Sequence, residues 1–392
     1  MRTLTLLGLI AGSLATLSAC DVEGGTPANR IGDADGQLGP WFMSAHPCVG
    51  NRTDVMWFDD EYTGFVGCGS TTSGYGMYET RDGGATWAAT PASPGVLASM
   101  RVDSISRASD DLLYIGGTGD NGIRVITLDD SSDAVGEFYL KPSSGAQSWQ
   151  TYQVGTFRIT DTGRAVSESL TGSDVMYWSS PSATPVNGYG WWNAAGVEGS
   201  GAQILDLEIY GDRFYGVGST ISQPPYFFYE PAGGMGSEFK MEAIKLSGSG
   251  LNAFIGEVWD IAIDSAGDMI LSGVNESTNT GVLWYNEGDP TVASSWVMYD
   301  ITPIVPDFPT NRTRFYGGCR EGDLMVAVGD WSQEEEALAV VSTDGGASWN
   351  LYGPPGTGAD TVGPLSKCQI FGEYVYITGA DGFFGVLDTT GL

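Results

Sequence analysis

Seven short apolar runs, each closing on a small residue, recur along the chain at a nearly constant step. They occupy residues 65–69, 113–117, 165–169, 214–218, 269–273, 325–329 and 375–379. Their closing residues are Gly69, Gly117, Ser169, Gly218, Gly273, Gly329 and Gly379, spaced 48 to 56 residues apart. A repeat of this length, built from strand-like runs and rich in glycine, matches one four-stranded blade per period. The pattern therefore predicts an all-β, seven-bladed β-propeller.

A second register supports this reading. An aromatic follows each of the first six closing residues by about twenty positions: Trp87, Phe138, Trp191, Phe239, Trp296 and Trp349. The seventh would fall beyond Leu392, whereas Trp41-Phe42-Met43 lies unassigned near the other end. The N-terminal segment is expected to supply the outer strand of the last blade, which would remove a free sheet edge. The propeller is thus assigned to residues 41–392.

Residues 1–19 read as an export signal: Arg2, an apolar stretch from Leu4 to Leu17, then Ser18-Ala19 before Cys20. The apolar stretch is too short for a spanning helix. Residues 20–40, with glycine, proline and mixed charge but no apolar period, read as a flexible tether. Leu17-Ser18-Ala19-Cys20 resembles a bacterial lipobox. That resemblance implies that Cys20 becomes the lipidated N-terminus, so that the protein is exported and anchored in the cell envelope, at the inner or the outer membrane.

Forty-eight acidic against seventeen basic side chains give a net charge of −31. Such a surface repels phosphate backbones, and no basic stripe offsets it, so nucleic acid is excluded as a partner. High acidity favours solubility and suits either salty surroundings or a basic partner. Beyond Cys20 the cysteines are Cys48, Cys68, Cys319 and Cys368. An even number in an exported chain suggests two disulfides, with three connectivities open. Cys319 and Cys368 occupy similar places in adjacent repeats, which favours Cys319–Cys368 with Cys48–Cys68. His46 is the sole histidine. That inventory excludes a His/Cys zinc site and a histidine-based triad, and neither a metal nor a cofactor is expected.

Two segments carry a family resemblance: Thr80-Arg81-Asp82-Gly83-Gly84-Ala85-Thr86-Trp87 and Ser342-Thr343-Asp344-Gly345-Gly346-Ala347-Ser348-Trp349. Both resemble the Asp-box, or BNR repeat, found in sialidases, some endoglucanases, sortilin-type receptors and lipid-anchored assembly factors of the Ycf48 type. The resemblance implies a turn staple on the blade rim. Asp82 and Asp344 would bond their own turns, Gly84 and Gly346 would supply positive φ, and Trp87 and Trp349 would fill apolar space. A structural role follows for all six.

A sialidase would also need three arginines around a carboxylate, a tyrosine nucleophile backed by glutamate, and an aspartate acid/base. The nearest match to its Arg-Ile-Pro motif is Phe157-Arg158-Ile159-Thr160, in the third repeat and without the proline. Convergence of Arg52, Arg158 and Arg312 on one pocket would favour that chemistry.

The expected ligand face is formed by loops entering the inner strands and loops between second and third strands. Its candidates are Arg52, Tyr75, Arg101, Arg158, Tyr226, Arg312, Arg314, Trp331 and Lys367. No catalytic residue is assigned. The reading is a monomeric, lipid-anchored binding or assembly module for an envelope protein or glycan. The alternative is an extracytoplasmic glycoside hydrolase of the sialidase type.

Overall fold

The structure is a computed structural model. It describes residues 37–38, 41–43, 48, 51, 53–69, 76–92, 97, 100–109, 112–119, 124–129, 132–139, 154–162, 164–169, 174–178, 190–193, 203–219, 224–232, 241–246, 256–286, 288–300, 312–331, 336–352 and 363–392. Cys20, Arg52 and Tyr75 lie outside these residues, as do residues 1–19, read as an export signal, and nearly all of the segment read as a tether.

The described chain is entirely β apart from short turns. Two N-terminal strands, β1 (Gln37–Leu38) and β2 (Trp41–Met43), precede the first blade. That blade holds β3 (Thr53–Phe58), β4 (Gly64–Cys68), β5 (Gly76–Thr80) and β6 (Ala88–Ala89). The second holds β7 (Met100–Ser109), β8 (Leu112–Gly119), β9 (Arg124–Asp129) and β10 (Ala134–Tyr139). The third holds β11 (Val154–Ile159), β12 (Ala165–Ser169), β13 (Asp174–Trp178) and β14 (Gly190–Asn193). The fourth holds β15 (Gln203–Tyr210), β16 (Arg213–Ser219), β17 (Tyr226–Tyr229) and β18 (Glu242–Lys245). The fifth holds β19 (Gly256–Ile263), β20 (Met269–Asn275), β21 (Thr280–Asn286) and β22 (Trp296–Asp300). The sixth holds β23 (Thr313–Glu321), β24 (Leu324–Trp331), β25 (Glu336–Ser342) and β26 (Asn350–Leu351). The chain ends in β27 (Leu365–Phe371), β28 (Tyr374–Gly379) and β29 (Phe384–Asp388).

Six sheets are four-stranded antiparallel meanders, and the remaining sheet has five strands in the order β1-β2-β29-β28-β27. This corrects the expectation of seven four-stranded blades. The sheet that closes the ring carries one strand more, because β1 adds outside β2. Strand pairing thus begins at Gln37, within the segment assigned to the tether. The N-terminal strand does supply the missing edge, with Trp41 opposite Leu387 and Phe42 opposite Val386.

One edge strand of each sheet (β3, β7, β11, β15, β19, β23 and β27) faces the axis and packs against those of its neighbours, around to β27 against β3. The repeated apolar runs are the second strands. They read as unbroken apolar runs because both faces are covered by neighbouring blades; in β4 all five residues are buried. The core therefore lies between blades. Trp41 joins Val326, Val341 and Leu365 on the side of the sixth blade. Phe42, one residue on, joins Phe58, Val66 and Phe384 on the side of the first. That alternation is the period-two geometry of a strand buried on both faces.

Side chains also tie adjacent inner strands. Ser104 Oγ donates to Phe157 O and accepts from Phe157 N, both at 2.9 Å. Gln369 bonds Phe58 N and O at 2.9 Å, linking the closing sheet to the first blade. The disulfide Cys319–Cys368 (Cα–Cα 5.7 Å) joins β23 to β27, and Cys48–Cys68 (5.4 Å) ties the segment before β3 to β4. Both favoured pairings are present.

Candidate functional site

The ring has an upper mouth, where the inner strands begin, and a lower mouth, where they end in hairpins. Near the upper mouth every inner strand breaks register with its neighbour. The breaks fall at Thr53/Val55, Val102/Ser104, Val154/Phe157, Ile204/Asp206, Val258/Asp260, Phe315/Gly317 and Leu365/Lys367. A bulge re-aims the extra side chain. The extra residues Asp103, Leu205, Trp259, Tyr316 and Ser366 are all half-buried beside buried neighbours, which places them around the mouth.

This explains the closing glycines of the repeat. A Cβ on Gly117, Gly273 or Gly329 would overlap the carbonyl oxygen of Arg101, Glu257 or Arg314, the residue just before the paired one. On Gly379 it would approach Pro364 O to 2.7 Å. The bulged backbone fills the space of a side chain, so the opposing strand carries glycine at these four positions.

Trp259 and Tyr316 stack across adjacent blades, with ring centroids 5.2 Å apart and planes at 27°. Trp259 Nε1 donates to Glu257 Oε2 at 2.9 Å. Tyr316 donates to Asp330 Oδ2 at 3.4 Å, and Arg314, opposite Asp330 in the ladder, bonds Tyr316. Burial pushes the Tyr316 hydroxyl above its ordinary value; the Arg314 bond opposes this and Asp330 adds to it. The bond to Tyr316 holds Arg314 above its ordinary value, against the opposing pull of burial. Farther round, Arg101 pairs directly with Asp103. The upper mouth thus presents an aromatic pair and fixed charges of both signs.

One layer below, Lys367 reaches across to two carboxylates of other blades. Its Nζ lies 3.0 Å from Asp206 Oδ2 and in direct contact with Asp260 Oδ1. Lys367 belongs to the closing sheet, whereas Asp206 and Asp260 belong to the fourth and fifth blades, beyond the intervening sixth. Both carboxylates are buried, at 3% exposure each. Asp206 also accepts from Thr156 Oγ1 (3.2 Å), Leu207 N (2.9 Å) and Ile261 N (3.3 Å), and Asp260 from Gly318 N (2.7 Å).

The other sequence candidates separate. Arg158 lies toward the lower mouth, held by Glu208 Oε1 at 2.5 Å and by Asp206 at 3.9 Å. Burial pulls its pKa down, but the Glu208 and Asp206 charges outweigh burial and hold it above the ordinary value. Arg312 is exposed just before β23, at the opposite end of the ring, so Arg158 and Arg312 do not share one pocket. Tyr226 opens β17, opposite Gly218 and Lys245, on a third strand away from the axis. Trp331 ends β24 opposite Thr313 and Glu336, beside the Asp330 that Tyr316 engages. The site thus retains Arg101, Arg314, Trp331 and Lys367 and adds Asp103, Glu257, Trp259, Tyr316, Asp206 and Asp260. A sequence signal existed for the additions: Val258-Trp259-Asp260 and Phe315-Tyr316-Gly317 break strand alternation. Among the described residues no group of three or more His, Cys, Asp or Glu side chains is placed to hold a metal ion.

The two aspartate-glycine turns lie on the lower rim and match bond for bond. Asp82 accepts from Thr80 Oγ1 and Thr86 N at 2.8 Å and from Thr86 Oγ1 at 2.6 Å. Asp344 accepts from Ser342 Oγ and Ser348 N at 2.8 Å and from Ser348 Oγ at 2.5 Å. Gly84 (φ 91°) and Gly346 (φ 89°) adopt left-handed backbone and press against Phe384 and Tyr285 of the preceding sheets. Trp87 meets Phe384 edge-on at 5.0 Å, and Trp349 lies 5.7 Å from Tyr299. All six residues hold turns and blade contacts.

No family model and no curated protein sequence matches the chain. Solved structures do. Ycf48 bound to D1 peptide shares 16% identity at a TM-score of 0.58, over 90% of this chain and 96% of that one. Ycf48 from Cyanidioschyzon merolae shares 14% at 0.58, over 90% and 99%. The GH74 xyloglucanase from Xanthomonas campestris shares 14% at 0.61, over 89% of this chain and 53% of that one. At such identities the likeness shows the fold alone, and the fold is that of an all-β β-propeller.

Proposed function

We propose that this protein is a non-catalytic binding or assembly module that docks a basic, extended segment of an envelope protein on its upper mouth. The observation that carries the proposal is the Trp259–Tyr316 stack with Glu257 and Asp330 bonded to its rings, above the Lys367–Asp260 contact. Aromatic faces attract cationic side chains, and the carboxylates favour the same charge. The net charge of −31 would steer a basic partner toward this chain. A peptide ligand on a propeller of this kind has a parallel in the Ycf48 complex with D1 peptide. We read the five-stranded sheet as the seventh blade, the two aspartate turns as Asp-boxes, and Cys20 as the lipid anchor.

In-cell crosslinking of the full-length protein, followed by mass spectrometry, tests the reading. One envelope protein should be recovered, crosslinked through a Lys- or Arg-rich segment, and lost in Trp259→Ala and Tyr316→Ala. Undiminished recovery with both variants would place the partner elsewhere. Hydrolysis of sialosides or other glycosides by the purified protein would replace the proposal with the glycosidase alternative. Loss of lipid labelling in Cys20→Ala checks the anchor.

A further inference from the structure

The lower mouth holds a cleft of about 590 Å³ between the first and fourth blades, on the face opposite the proposed docking site. That volume lies within the range of small-molecule sites. Its walls are built before any ligand arrives. Asp59 accepts from Trp57 Nε1 at 2.8 Å and from Arg107 Nε at 2.6 Å, which fixes the indole and the guanidinium of adjacent blades together. Arg107 also lies over the Phe65 ring at 5.6 Å, which limits its swing. Across the cleft Arg158 is held against Glu208 Oε1 at 3.1 and 2.5 Å, and Oε2 has no hydrogen-bond partner among the described residues, which opens it to a ligand hydroxyl. Tyr210 closes the far wall with 38% of its surface exposed, its ring braced on Gly267 of the next blade.

The charges decide what fits. Arg107 is matched by Asp59, Arg158 by Glu208 and Asp212 by Arg164 at 3.5 Å, while Asp161 adds one further carboxylate at the lining. An anion would meet excess acid, and a cation would meet two rigid guanidiniums at the base. An uncharged ligand with many hydroxyls suffers neither penalty. It would bond the outer edges of the paired groups and lay its C–H faces on Trp57 and Tyr210, a surface of apolar walls with few fixed polar groups. We infer that this lower-mouth cleft is a binding site for a neutral saccharide, separate from the upper-mouth docking site.

Isothermal titration calorimetry of the full-length protein tests this with neutral cello-, laminari-, malto- and chito-oligosaccharides. Oligogalacturonate and oligolysine serve as charged controls. At least one neutral oligosaccharide should bind in preference to both controls. Trp57→Ala and Tyr210→Ala should each weaken that binding by roughly tenfold or more, about the value of one well-placed ring contact. Trp259→Ala, on the opposite face, should leave it unchanged, which separates this site from the docking reading. Trp57 also packs against the core between the first and second blades, so Tyr210→Ala, at an exposed ring, keeps the test decisive if Trp57→Ala misfolds. Absence of neutral-sugar binding, preference for a charged control, or binding insensitive to Tyr210→Ala would overturn the inference.

Discussion

Replacing Lys367 by methionine removes the cation that joins the three blades while keeping a side chain of similar length. At an effective dielectric of 20, a pair 3.0 Å apart gains roughly 5 kcal/mol of gross attraction, part of which offsets the cost of drying the charges. Breaking a buried ion pair from one side leaves uncompensated charge and costs about 3–5 kcal/mol. Asp206 keeps three hydrogen-bond donors and Asp260 keeps the Gly318 amide, so the expected loss lies near the lower bound, about 3 kcal/mol. Urea unfolding at neutral pH measures it. Adding Asp260→Asn to Lys367→Met should recover part of the loss, because the second change removes the charge that the first strands. A double-mutant cycle should therefore give a coupling of at least about 1 kcal/mol. Lys367→Met at under about 0.5 kcal/mol, or a cycle with no coupling, would refute the argument that this contact braces blades that are not neighbours.

Gly329→Ala should destabilise by about 1–3 kcal/mol or more, since its methyl would meet the Arg314 carbonyl, which a flexible side chain cannot clear; urea midpoints check this. Replacing the cysteines pairwise by serine should cost more for Cys319–Cys368 than for Cys48–Cys68. Separations of 49 and 20 residues correspond to roughly 4 and 3 kcal/mol in the chain-entropy view, readable in the same assay. The bond from Ser348 Oγ, then the Ser348 amide and Ser342, hold the Asp344 carboxyl below its ordinary value. Its folded value is thus the lower one, so its contribution is complete above the unfolded value of about 3.9 and fades as pH falls through the folded value. NMR titration should show Ser348→Ala moving the Asp344 pKa upward, and Asp344→Asn should flatten the acid limb of stability.

The sequence by itself determined whatever is local to one repeat. Second strands buried on both faces must be apolar throughout, so their period was visible and with it the β-propeller class. Thr80 to Trp87 and Ser342 to Trp349 specify their turns through bonds spanning two to four residues, and those turns form as their spacing implied. The hairpin between β19 and β20 is equally local, with Asp264 accepting from Ala266 N and Asp268 N and Gly267 at φ 92°. The pairing of Cys319 with Cys368 was favoured by their matching places in adjacent repeats, which left Cys48 for Cys68. Only the tertiary structure decided the axis. Lys367 meets Asp206 and Asp260 across separations of 161 and 107 residues, and no local pattern marks residues brought together by closure of a ring. The stacking of Trp259 on Tyr316 needs two bulges at one level in adjacent blades, and a bulge leaves in sequence only a break in alternation. Arg158 and Arg312 were both candidates for one ligand face, yet they stand at opposite mouths, because position along a strand is set by register with its neighbours, which a single strand cannot specify.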